Sequence, residues 1–137
     1  MKKKLIILIS ALLLLLMGAV VFYCTPKTFG TDIVPSDVDH IQVIDGTTGL
    51  RFSISAPEDI RHIVKNLQSH PMQKSGLSLC TMGYGFKITC VDAHNKPLIP
   101  EIILNSNDTI RKDPFFYQCD GGLCYEYIKE IASGINR

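Results

Sequence analysis

The chain divides by its pattern of apolar and polar positions. Residues 5–23, LIILISALLLLLMGAVVFY, are apolar almost without interruption and carry no charge. Residues 24–39, CTPKTFGTDIVPSDVD, are mixed and broken by Pro26, Gly30 and Pro35. From His40 onward the pattern becomes periodic. HIQVID (40–45) and LRFSIS (50–55) flank the turn GTTG, and Leu50, Phe52 and Ile54 alternate with polar neighbours, the period of a half-buried strand. SAPEDIRHIVKNLQ (55–68) then sets Ile60, Ile63, Val64 and Leu67 at helical spacing. Ser55 and Glu58 stand at capping-box spacing, and Pro57 suits a first turn.

Further on, GYGFKITCVD (83–92) alternates again, placing Tyr84, Phe86, Ile88 and Cys90 on one face. PLIPEIIL (97–104) predicts a strand in which Pro100 marks an edge or a bulge. TIRKDPFFYQC (109–119) predicts a last strand region, interrupted near Pro114. LCYEYIKEIAS (123–133) closes with a helix that gathers Leu123, Cys124, Tyr127, Ile128 and Ile131. The order ββαβββα predicts an α+β domain over residues 40–137: a small antiparallel sheet with its helices on one face.

Nineteen apolar residues rising 1.5 Å each extend about 28 Å, close to the hydrocarbon thickness of a bilayer. Lys2, Lys3 and Lys4 precede the segment, whereas Asp32, Asp37 and Asp39 follow it. The positive-inside rule therefore puts the N-terminus in the cytoplasm and the domain outside the cell membrane. Three processing fates compete. A cleaved signal calls for a shorter apolar core and small residues before the cut, and Met17 fits poorly at −3 from the best site, after Ala19. A lipoprotein calls for small residues before a lipidated Cys24, where Phe22 and Tyr23 are bulky. An uncleaved anchor over residues 1–23 fits best, with Phe22 and Tyr23 as interface residues. Residues 24–39 then read as a flexible stalk covering on the order of 20 Å.

Charge narrows the function. Beyond residue 37 the chain carries ten basic and eleven acidic side chains, a formal charge of −1. With no basic stripe, nucleic acid is not an expected partner. The membrane is an expected partner, together with a protein or an unidentified ligand.

Cysteine is the remaining chemical signal. Cys80, Cys90, Cys119 and Cys124 make an even set, and outside the cytoplasm that favours disulfides. Cys119–Cys124 across DGGL with Cys80–Cys90 is the preferred pairing; Cys90–Cys119 is the main rival. Four reduced core thiols are the competing reading, since Cys90, Cys119 and Cys124 all fall on apolar faces. The spacings lack the tight pairs of a zinc site or the C-x-x-C of a redox pair. Cys24, the odd fifth cysteine, is left for lipidation or for pairing with a second copy. The histidines show no metal-ligand spacing, and TMGYG (81–85), though like a potassium-filter sequence, lacks a second span and enters a strand instead. No catalytic set, metal or cofactor is expected. Among contact residues, Pro100 near the supposed edge and Phe116 and Tyr117 in the aromatic run PFFYQC stand out.

The Lys-rich apolar leader, IQVIDGTTG, PEDIRHIVKNL, GYGFKITCVD with NKP, and YEYIKEI together resemble small membrane-anchored extracytoplasmic proteins of unknown function from Gram-positive bacteria. The resemblance implies an exported domain and carries over no active site. The expected function is a non-catalytic binding or regulatory module. The alternatives are a secreted or lipid-anchored domain with a structural or immunity role, and a thiol-redox protein.

Overall fold

The computed structural model describes residues 2–135. Helix α1 (Lys2–Cys24) has no buried residue and is long and apolar enough to cross a membrane. Seven strands follow: β1 (His40–Asp45), β2 (Arg51–Ile54), β3 (Gln73–Leu77), β4 (Phe86–Val91), β5 (Ile102–Leu104), β6 (Thr109–Lys112) and β7 (Phe115–Gln118). Helix α2 (Pro57–Ser69) joins β2 to β3, and α3 (Tyr125–Ile135) ends the described chain. The strands form one antiparallel sheet in the order β2-β1-β4-β5-β6-β7-β3. The class is α+β, as the periodicity implied.

Register explains the core. Ile41 faces Ile54 on one side and Cys90 on the other, and Val43 faces Ile88. Ile88 faces Ile102, Phe86 faces Leu104, Leu104 faces Ile110, and Ile110 faces Tyr117. Because side chains alternate along a strand, these residues share one side of the sheet. There they pack against Ile60, Ile63, Val64 and Leu67 of α2 and Ile128 and Ala132 of α3 in a single cluster. The stripe read from the α2 sequence is therefore the stripe it buries.

Four local expectations change. The capping box does not form: Ala56 is the N-cap of α2, with no side-chain bond, and Pro57 takes the first helical position. QKSGL (73–77), in which Leu77 is the only large apolar residue, forms an edge strand held through backbone pairing with β7. The last strand region is two strands, since the chain turns at Asp113–Pro114 and β6 pairs with β7. The strand after Pro100 is central, between β4 and β5's other neighbour β6, so Pro100 marks no sheet edge; it lies just before β5 begins.

The segment expected as a flexible stalk belongs to the domain. Phe29, Ile33 and Val38 are buried in the core cluster. The amide and carbonyl of Lys27 pair with those of Met72 at 2.8 and 2.9 Å, and Gln68 Nε2 donates to the carbonyls of Gly30 (2.7 Å) and Ile33 (2.8 Å). Phe29, Ile33, Val34 and Val38 show no periodicity over these sixteen residues, yet all but Val34 are buried in the core cluster.

Candidate functional site: the open face of the sheet

Packing Ile41, Val43, Ile88 and Ile110 inward sends their strand neighbours to the opposite face. At one level of the register, that face carries a row across six strands: Arg51, Ile44, Lys87, Ile103, Arg111 and Phe116. Cations recur on every second strand, and with strands about 4.8 Å apart neighbouring cations stand roughly 10 Å from one another. Among the described residues, α2 and α3 pack on the other side of the sheet, and no helix covers this face.

The row has two unlike halves. Over β5, β6 and β7, the connection from β3 to β4 crosses the face. Arg111 Nη1 donates to the carbonyls of Thr81 (3.1 Å) and Gly83 (3.2 Å), and its Nε meets Asp113 Oδ1 at 3.1 Å. Ile103 beneath is only 8% exposed. That arginine is consumed in holding a loop. Over β2, β1 and β4 the face is open, and Arg51, Ile44, Lys87 and Glu101 line a concavity of about 300 Å³ with the polar side chains of Gln42 and Thr89.

Within the open half, Lys87 Nζ lies 3.4 Å from Glu101 Oε1 and 4.8 Å above the ring of Tyr84. Two glycines set Tyr84 there. The Gly46 amide donates to the Gly85 carbonyl at 2.7 Å. A side chain at Gly46 would strike the Tyr84 carbonyl, and one at Gly85 would strike the carbonyl of Leu104. The β1–β2 turn and the start of β4 therefore interlock beside the concavity. Arg51 is exposed and has no acidic partner within ion-pair distance among the described residues. The surface thus offers one free cation, one shared cation, an apolar Ile44 between them and a fringe of amide and hydroxyl groups. Such a set can offer charge and hydrogen bonds to a ligand, with the Ser53 and Thr89 side chains in the same lining.

The cysteines come together differently from either expected pairing. All five are free thiols. Cys90, inside β4, and Cys124, just before α3, are both in the core, and burial pushes their thiols up to about 11 and about 12 respectively. Protonated thiols at such values are poor nucleophiles. Cys80 is exposed on the β3–β4 connection, away from buried Cys90, so a Cys80–Cys90 bridge does not form. Cys119 is half-buried with its Sγ 3.7 Å from the Gly121 carbonyl, and the turn at Gly121 and Gly122 brings Cys124 inward without a bond between the two sulfurs. Cys24 is exposed at the end of α1.

The expected contact residues also separate. Tyr117 is buried, edge-on to Phe29. Phe116 lies half-buried in the covered half of the row, and Pro100 is exposed. Arg51, Lys87 and Glu101 were not singled out from the sequence; the signal was the alternation itself, whose polar phase deserved the same reading as its apolar phase. Among the described residues, no group of three or more His, Cys, Asp or Glu side chains is placed to hold a metal ion. Comparison with protein-family models, with curated proteins and with solved structures returned no match to this chain.

Proposed function

We propose that this chain is a single-pass membrane protein whose extracytoplasmic domain is a non-catalytic binding module. In this reading α1 is an uncleaved anchor in the cell membrane with its N-terminus in the cytoplasm. The open half of the sheet takes an acidic segment of a protein partner. The observation that carries it is the placement of Arg51 and Lys87 two strands apart around Ile44, on the face of the sheet opposite α2 and α3. A partner with two carboxylates about 10 Å apart and an apolar side chain between them would satisfy all three residues.

The full-length protein, carrying a photo-crosslinking side chain at exposed Gln42, tests the reading in intact cells. A discrete protein adduct that weakens as external salt rises is the expected result, because exposed charges are screened. No adduct at any salt concentration would overturn it.

A further inference from the structure

We propose that the rim made by Leu77, Leu79 and Met82 rests in the outer leaflet beside α1, so that the domain lies against the bilayer. This rests on the reading of α1 as a membrane anchor and adds a second, independent contact with the lipid. Leu77, Leu79 and Met82 are 67%, 62% and 96% exposed, three large apolar side chains within six residues.

Chain direction places them. The Lys27–Met72 bridge is antiparallel, so the chain leaving α1 runs opposite to the segment that enters β3. The far end of β3, Leu77, therefore points back along α1. Lys74 Nζ donates to the Phe22 carbonyl at 2.8 Å. Phe115, which pairs with Leu77, has its ring centroid 6.2 Å from those of both Phe22 and Tyr23. Tyr23 is the last apolar side chain of the span, so Leu77 sits at the level where the helix leaves the hydrocarbon. Leu79 is exposed two residues beyond the end of β3.

The rim is braced. The Ser78 amide donates to the Pro114 carbonyl at 2.8 Å, and Ser78 Oγ donates to Asp113 Oδ1 at 2.6 Å. Thr81 N bonds the Ser78 carbonyl at 3.2 Å, and Arg111 holds the carbonyls of Thr81 and Gly83. These bonds fix the backbone while leaving the apolar side chains outside. Near the rim Lys74 Nζ lies 4.4 Å from the centroid of exposed Phe22 and 5.7 Å from that of Phe115. Exposed aromatic rings with a lysine stem over them, where an apolar helix ends, match the composition of a membrane interface, at which the amine meets lipid phosphate. The occupant consistent with both the Lys74 amine and the adjoining span is the bilayer that holds α1.

The chain contains no tryptophan, so L79W, L14W and N107W each give a single reporter. Leu79 and Asn107 are exposed, and Asn107 lies on the β5–β6 turn, at the opposite end of β6 from Asp113. The full-length variants are placed in vesicles of phosphatidylglycerol and phosphatidylcholine, with and without bromine on the acyl chains. The expected result is that brominated lipid removes most of the fluorescence of L14W and L79W and leaves N107W unchanged. Quenching of L14W alone would overturn the rim contact and leave the anchor standing. Quenching of none would overturn the anchor and the rim together. A blue-shifted L79W that bromine does not quench would assign the rim to a second copy of the chain and overturn the proposal, as would equal quenching of N107W.

Discussion

Phe29 stands edge-on to Tyr117, with ring centroids 5.2 Å apart and planes at 90°. One ring comes from the segment after α1 and the other from β7. Both are at most 5% exposed. Their contact makes the segment after the helix part of the folded unit, and it fixes where the helix leaves the domain.

Replacing Phe29 with alanine should therefore unfold more than a tether. A buried phenylalanine truncated to alanine costs about 3 kcal/mol or more. Chemical denaturation of the detergent-solubilised protein is expected to show a midpoint lowered by that energy divided by the slope, with the slope itself unchanged. An unaltered midpoint would return residues 24–39 to the status of a free stalk.

The thiols should divide by burial. In the native protein a maleimide is expected to modify exposed Cys24 and Cys80 rapidly and to reach Cys90 and Cys124 only after denaturant is added, with intact mass reporting the count. A mass 2 Da lower per pair before reduction, in any copy, would mean that a disulfide exists after all.

Alkaline stability follows from the same burial. Both core thiols titrate above the ordinary cysteine value of 9.0, so the folded state holds protons that the unfolded state releases. Their contribution is full below pH 9 and is lost as the pH rises from 9 through about 11 for Cys90 and about 12 for Cys124. Unfolding followed against pH should show that loss, and the double variant C90A/C124A should flatten it. A wild-type curve level across that range would contradict the burial.

Acid should act in the opposite sense through Asp113. The Ser78 hydroxyl, aided by Arg111, holds its carboxyl below the ordinary value. A lowered native value gives stability present above the unfolded value and lost as the pH falls through the native one. D113N is expected to weaken the brace at Ser78 and Arg111, raising protease cleavage in residues 78–85 at neutral pH. Wild-type resistance there would show that the brace does not depend on this carboxylate.

Much of the architecture could be read from spacing alone, because its elements are amphipathic over short range. The α2 stripe and the alternation in β1, β2 and β4 each appear in a window of a few residues. What escaped was non-local. QKSGL has too little apolar character to signal a strand, and it is one only because β7 offers it backbone partners. The pairing of β1 with β4 places Ile44 beside Lys87, residues 43 positions apart in the chain, so the open cationic face exists only after folding. Asn66 is similar: its side chain bonds the Gly122 carbonyl at 2.8 Å and the Cys124 amide at 2.9 Å, tying α2 to the entry of α3. Nothing in an exposed-looking KNLQ announces that role.

The most direct measurement of the proposed binding function is the crosslinking yield from Gln42 in cells carrying the charge reversals R51E and K87E together. Reversal of two exposed α2 cations, R61E and K65E, serves as the matched control. The double reversal on the sheet is expected to abolish the adduct while the helix reversal leaves it intact. An adduct that survives R51E/K87E, or that is lost equally with R61E/K65E, would contradict the assignment of the open sheet face as the binding surface.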